Sequence, residues 1–128
     1  MKNIRFTILF LFVWVILSSF IGIKEDVTSA LSEGNAFKVS AFFNNQVDIT
    51  ILDESDLLSK LEAEKQLYDF FHEHSPTQFK ILHTGKSRSG QEYNIGTLNT
   101  SNGIFRVSFY IEQTDNSEFI QQLIIEAE

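Results

Sequence analysis

The chain has 128 residues, of which 43% are hydrophobic, 17 are acidic and 10 are basic, so its formal net charge is −7. This length and composition predict one globular domain and exclude a multidomain, fibrous or disordered protein. The absence of cysteine excludes disulfide bonds, and the acidic excess argues against a nucleic-acid partner, which requires clustered lysine and arginine.

The N-terminal segment has the pattern of an export signal. Lys2 and Arg5 make it positive, and Phe6–Ile23 contains no charged residue, as in secretory signal peptides. We therefore predict a signal peptide over residues 1–23 and a periplasmic or secreted location for a single domain over residues 24–128. A retained N-terminal anchor stays open as an alternative, because the segment has no cleavage triplet of the A-x-A type. Apart from this leader, no contact with a membrane is predicted.

The first part of the domain is predicted to contain two helices and a strand. Lys24–Glu33 has apolar residues at helical spacing and acidic residues in its first turn, where the helix dipole favours them. Gly34 suits the end of this helix, and Asn35 suits the N-cap of a second helix over Ala36–Phe43. Gln46–Leu52 then alternates apolar and polar residues, which is typical of a half-buried strand.

A third helix is predicted from a capping box. Ser59 and Glu62 have the Ser-x-x-Glu spacing that opens helices, and residues 57–58 precede them as a short strand. The helix carries one apolar stripe with members three or four residues apart: Ala63, Leu67, Phe70, Phe71 and His74. It extends to Glu73, and Pro76 prevents it from continuing.

After the proline the apolar residues recur every second position, which predicts four antiparallel strands. Asn102-Gly103 is a strong signal for a tight hairpin between two of them. The alternation is clearest in one strand, whose inward-facing residues are Phe105, Val107, Phe109 and Ile111. Helices grouped early and strands grouped late predict an α+β domain with the helices on one face of an antiparallel sheet.

Several features together resemble one bacterial family. They are the order of the elements, the Gly34-Asn35-Ala36 join, the Phe70-Phe71 pair and a hairpin with the pattern Tyr93…Gly96…Leu98…Gly103…Phe105-Arg106-Val107. Over Lys24–Ala127 this combination resembles domain-of-unknown-function family 4783, a family of short exported proteins that is similar to the nuclear transport factor 2-like superfamily. The resemblance implies a cone in which three N-terminal helices pack on a curved antiparallel sheet. Its motifs are structural and imply little about chemistry.

One histidine and two tyrosines are the candidate ligand-binding residues. The period of two places His83 on the same face as Phe79 and Ile81, towards the helices, where an imidazole needs a polar partner. We predict that His83, Tyr68 and Tyr93 line or rim a small apolar pocket enclosed by the sheet and the helices. The large set of phenylalanines is assigned to the core: Phe37, Phe42, Phe43, Phe70, Phe71, Phe79, Phe105, Phe109 and Phe119.

No metal site, cofactor or catalytic residue is predicted. His72 and His74 are two residues apart on a helix, which points them in different directions rather than at one ion. The Gly85–Gly90 segment has the glycines and the lysine of a phosphate-binding loop, but a strand rather than a helix follows it. It is therefore predicted to be a solvated turn.

The leading functional hypothesis is an exported, non-enzymatic domain that binds a small apolar ligand or a partner protein. The first alternative is a homodimeric interaction module that uses the outer face of the sheet, with Arg106, Ser108, Tyr110 and Gln121 on its surface. The second alternative, which the superfamily resemblance implies, is a proton-transfer enzyme of the isomerase type. Such chemistry needs a base and an oxyanion donor. The candidates are Asp48, Asp69 and His83 as bases and Tyr68, Tyr93 and Tyr110 as donors.

Overall fold

The computed structural model describes residues 22–128. Nearly all of the proposed leader, residues 1–23, lies outside this range, so its role stays a prediction. Within residues 22–128, no helix is both long and apolar enough to cross a membrane.

Three helices and six strands follow one another along the described residues. The helices are α1 (Lys24–Glu33), α2 (Ala36–Ser40) and α3 (Lys60–Glu73). The strands are β1 (Phe43–Ile51), β2 (Glu54–Ser59), β3 (Pro76–Lys86), β4 (Glu92–Thr100), β5 (Gly103–Gln113) and β6 (Glu118–Ala127). The three predicted helices are confirmed, although α2 is shorter than predicted because β1 already begins at Phe43.

The predicted capping residues fix the ends of the helices. Gly34 follows α1 with a left-handed φ of 66°, the usual conformation just after a helix. The Asn35 side chain accepts a hydrogen bond from the Lys38 N–H at 3.0 Å and so caps α2. At α3, the Ser59 hydroxyl accepts from the Glu62 N–H at 3.3 Å and donates to the Glu62 carboxylate at 2.9 Å, which completes the predicted capping box.

The six strands form one sheet in the order β2-β1-β6-β5-β4-β3. Neighbouring strands are antiparallel, as predicted, except for β1 and β6, which run parallel. The prediction of a wholly antiparallel sheet is therefore wrong at this pair. A parallel pair needs a long connection, and here the whole segment from β2 to β5 separates β1 from β6, so no hairpin constrains their direction.

The core lies between the helices and the inner face of the sheet. α1 lies against β3, where the Ser32 hydroxyl accepts a hydrogen bond from the Phe79 N–H at 2.9 Å. Fully buried apolar side chains occupy this layer: Val27, Leu31, Val39, Leu67, Leu98, Val107, Phe109, Leu123 and Ile125. None of these side chains lines any of the four grooves described in residues 22–128, so those grooves are the candidate sites for another molecule.

Candidate functional site

The structure separates the three predicted ligand-binding residues into two places. His83 and Tyr93 are in contact on neighbouring strands, with the His83 Nε2 atom 3.2 Å from the Tyr93 hydroxyl oxygen. Tyr68 lies on α3, in a groove whose lining residues all belong to α1, α2, α3 and the join between α1 and α2. None of the four grooves described in residues 22–128 contains all three residues.

The predicted inward orientation of His83 is wrong. The pairing of β3 with β4 shifts by one residue between Ile81 and His83, so a β-bulge interrupts the alternation of the strand. Ile81 pairs with Gly96, whereas His83 pairs with Ile95, which belongs to the opposite face. As a result His83 is exposed on the outer face of the sheet.

Aromatic side chains cluster around His83 on this outer face. Tyr93 pairs with Tyr110 across β4 and β5, and their ring centroids are 6.1 Å apart. The Tyr93 ring lies so close to Gly85 that a Cβ atom added there would be 2.6 Å from Cζ of the ring. Ile95 adjoins this cluster as a half-buried apolar residue. The outer face therefore combines one histidine and two tyrosines with apolar side chains.

His83, a candidate base, and Tyr93, a candidate oxyanion donor, lie within hydrogen-bond distance of each other, but the pair is exposed. General acid–base chemistry needs a substrate held within hydrogen-bond reach of both groups and shielded from water. Neither residue lines any of the four grooves described in residues 22–128. The other predicted bases, Asp48 and Asp69, lie on β1 and α3, away from this pair.

The largest of these grooves lies between α2 and α3 and has a volume of about 850 Å³. Three large apolar side chains line it, and all three are unusually exposed: Phe37 by 71%, Leu61 by 74% and Tyr68 by 62%. We call these three residues the apolar triad. Large apolar surfaces that cluster in the open mark contact sites more often than isolated exposed residues do.

The helices place the triad outward for a simple geometric reason. On α3, Ala63 and Leu67 face the core, while Leu61 and Tyr68 are seven residues apart and share a different face of the same helix. On α2, the flanking residues Ala36 and Val39 are buried, which leaves Phe37 on the solvent side. The assignment of Phe37 to the core is therefore wrong.

Charged side chains surround the triad. The groove is lined by Glu33, Glu62 and Glu64 but by only one lysine, Lys65. Phe37 also lines a smaller groove of about 300 Å³, whose lining includes Phe42, Ala30 and Ala41 together with two carboxylates and one lysine. Phe37 thus lines two grooves that combine apolar side chains with an excess of carboxylates.

Sequence reasoning found Tyr68 but missed Phe37 and Leu61. One signal was available in the sequence. Leu61 does not lie on the face formed by the buried residues of α3, and Tyr68 follows it two turns later on the same outer face. A helix with a second apolar stripe indicates that a second surface packs against it.

A third groove, of about 540 Å³, is acidic and is lined by Asp53, Glu54, Asp69 and Glu73 among others. Among residues 22–128, no group of three or more histidine, aspartate and glutamate side chains has the geometry to hold a metal ion.

Comparison with known proteins places this architecture in a broad class of α+β folds. A domain with a cystatin-like fold from Nostoc punctiforme has a TM-score of 0.62 and 13% identity, covering 81% of this chain and 72% of that chain. The protein Rd1NTF2_05, in a variant with five substitutions, has the same TM-score and identity, covering 80% of this chain and 92% of that chain. At 13% identity these similarities show the fold alone, which is an α+β fold of the nuclear transport factor 2-like and cystatin-like type.

A family model and a crystal structure identify the family of the chain more specifically than these fold similarities do. The model of the family described as "Domain of unknown function (DUF4783)" matches residues 24–126, so the chain belongs to this family. The crystal structure of a DUF4783 family protein from Bacteroides uniformis is 31% identical, has a TM-score of 0.77 and covers 84% of this chain and 98% of that chain. The curated proteins give no match to the chain. The predicted family membership is confirmed.

Proposed function

We propose that the chain is a binding domain and that the groove between α2 and α3 is its contact site. The observation that carries the proposal is the apolar triad, whose three large side chains are between 62% and 74% exposed and line one groove. Removing apolar surface from water stabilises a complex by about 25 cal/mol for each Å² that is buried. A partner that covers the triad gains this free energy.

The openness of the groove favours a partner protein over a small ligand. Small-molecule sites bury about 70–90% of the ligand surface, whereas the apolar triad that lines this groove is itself 62–74% exposed to solvent. A protein partner closes an open groove with its own surface. The proposed export from the cytoplasm, which rests on residues 1–23, places this partner in the periplasm or outside the cell.

Site-specific photo-crosslinking in the native host tests the proposal. We expect a photoreactive phenylalanine analogue to give a crosslinked product of defined mass when it replaces Phe37 or Tyr68, because a bound partner lies within reach of both positions. Leu82 is the matched control, since it is 64% exposed but lies on β3. Mass spectrometry of the purified products identifies what is attached.

The outcome at the control position decides the result. Products from Phe37 and Tyr68 but not from Leu82 support the groove. Equal products at all three positions, or none from the groove, overturn it. A small molecule that is retained by the wild-type chain in native mass spectrometry and lost from the Tyr68→Ser variant restores the small-ligand version of the hypothesis.

The outer face of the sheet supports a second candidate function, which is formation of a homodimer. The supporting observation is that Tyr93 of β4 pairs with Tyr110 of β5 on this face. Two half-buried apolar residues lie near this pair, Ile95 on β4 and Ile124 on β6. Arg106 and Ser108 lie on the same face because they pair with Thr97 and Ile95. Of these residues, the two tyrosines and Arg106 belong to the types that are enriched in interfaces.

One residue of the predicted dimer surface lies elsewhere in the register. Gln121 falls at the irregularity where β5 and β6 shift their pairing, and its side-chain oxygen accepts a hydrogen bond from the Asn44 amide at 3.4 Å. It is therefore engaged with β1 rather than aligned with Tyr110.

Sedimentation velocity over a range of concentrations tests the dimer. If the outer face is the interface, we expect Tyr110→Asp to shift the protein to the monomer, because a buried unpaired carboxylate is unfavourable. Tyr68→Asp makes the same chemical change at the helical groove and is expected to leave the dimer intact. A wild-type protein that is monomeric at every concentration contradicts this function.

A further inference from the structure

We propose that the partner in the groove between α2 and α3 is an amphipathic α-helix that carries lysine or arginine beside its apolar stripe. This inference rests on the proposed function and adds the chemical class of the partner. It follows from the spacing of the apolar triad and from the charge around it.

The spacing of the triad fits a helix. Leu61 and Tyr68 are seven residues apart, which is two turns or about 10.5 Å along α3. Apolar residues with a seven-residue repeat are the contact pattern of helices that pack side by side at a shallow angle. Phe37 of α2 lines the same groove. An apolar stripe on a partner helix can therefore contact apolar side chains of both α2 and α3.

The charge of the rim selects a cationic helix. The groove lining holds three glutamates and one lysine. The Glu62 carboxylate is held by the Ser59 hydroxyl at 2.9 Å, and Glu33 forms an ion pair with Lys38 at 3.2 Å on the exposed surface. Glu64 has no ion pair among the described residues and lies between Leu61 and Tyr68 on the helix. Lysine or arginine at the edge of a partner stripe pairs with this rim.

The same charge disfavours the other occupants. The chain has a net charge of −7, so a second copy of it brings further negative charge to an acidic rim. Nucleic acids and anionic lipid surfaces are repelled for the same reason. Electrostatic complementarity raises the association rate and suppresses wrong partners more than it adds affinity. The quantity to measure is therefore the ratio of the affinities for a positively charged and a negatively charged partner helix.

Two synthetic peptides provide the probe. Both have about 18 residues, or five helical turns, with leucine at the apolar heptad positions, and they differ only in carrying lysine or glutamate beside the stripe. Their affinity for the full chain is measured by fluorescence anisotropy at about 0.15 M salt, where exposed charges act over about 8 Å. A scrambled lysine peptide of the same composition has no apolar stripe and controls for charge alone.

We expect the lysine peptide to bind about tenfold more tightly than the glutamate peptide and than the scrambled peptide, which corresponds to about 1.4 kcal/mol. Leu61→Ser and Tyr68→Ser are expected to weaken the lysine peptide about tenfold, the loss typical of a central interface residue. Leu82→Ser removes a leucine from β3 that is 64% exposed, against 74% for Leu61, and is expected to leave the affinity unchanged. Glu64→Lys is expected to reverse the preference between the two charged peptides.

Each result bears on a distinct claim. Equal binding of the lysine and glutamate peptides, or equal losses in Leu61→Ser and Leu82→Ser, overturns the inference. If neither peptide binds while crosslinks from Phe37 and Tyr68 persist, the helical partner is wrong and the groove still functions. If the crosslinks are also absent, the proposed function itself is wrong. Glu64→Lys acts at the surface without removing a core contact, so its effect is measured on a folded protein.

Discussion

Replacing Phe109 by alanine is expected to lower the free energy of unfolding by about 3–5 kcal/mol. Phe109 lies on the central strand β5, and its exposed fraction is 0%. Its ring is 6.3 Å from the ring of Phe79, and it pairs with Leu123 of the neighbouring strand. Removing the ring leaves a cavity that the surrounding strands cannot fill, so both the burial and the packing are lost. Urea denaturation followed by circular dichroism measures the change.

Phe37→Ala is the matched control for this variant. It deletes the same ring from a side chain that is 71% exposed, so the free energy of unfolding is expected to change by less than about 0.5 kcal/mol. If Phe109→Ala and Phe37→Ala lower the free energy of unfolding by similar amounts, the assignment of Phe109 to the core and of Phe37 to the groove is contradicted. The comparison also shows whether variants of the groove can be used in binding experiments without loss of the fold.

The local patterns predicted the elements and most of the core, because both depend on the position of apolar residues along short segments. Val47 and Ile49 alternate with polar residues on β1 and are buried. Leu67 and Phe70 are spaced as one face of a helix and are also buried. In each case the period of the backbone alone decides which side chains face the interior.

The orientation of His83 could not be predicted because it depends on one extra residue in the strand. Counting every second residue from Phe79 leads inward to His83, but the bulge after Ile81 moves the rest of β3 to the opposite parity. The extra residue is Leu82. It is neither a glycine nor a proline, the two residue types that often mark a bulge in a strand. Because no residue signals the bulge, the predicted alternation of inward and outward side chains was continued past Ile81 without a change of face.

The candidate groove was only partly predictable for a related reason. α2 is only five residues long, with Ala36, Val39 and Ser40 buried and Phe37 exposed, and it ends at Ser40, before β1 begins at Phe43 and pairs with β6. That pairing joins residues from opposite ends of the domain, which no local pattern indicates. Tyr68 was identified as a tyrosine available for binding, and Leu61 lies on the same helix, but Phe37 joins them only through the packing of α2 against α3.

Gly96→Ala is expected to destabilise the protein by about 1–3 kcal/mol, the usual cost of overpacking a core. Gly96 is buried on β4 and pairs with Ile81 of β3. A Cβ atom added at this position would be 2.6 Å from Cζ of Phe79 and would also collide with the backbone oxygen of Lys80. Phe79 is itself buried, and the backbone oxygen belongs to the paired strand, so neither can move away freely.

The neighbouring substitution Thr97→Ala is the control, because Thr97 is only half-buried on the opposite face of β4. Its effect in urea denaturation is expected to stay below about 1 kcal/mol, within the range of strand propensities. A second variant separates the two collisions. Phe79→Leu trims the ring, so combining it with Gly96→Ala is expected to give a smaller loss than the sum of the single variants, because residues in contact couple. Full additivity would mean that the Phe79 ring does not cover Gly96, and a Gly96→Ala protein as stable as the wild type would contradict the close approach of β3 and β4.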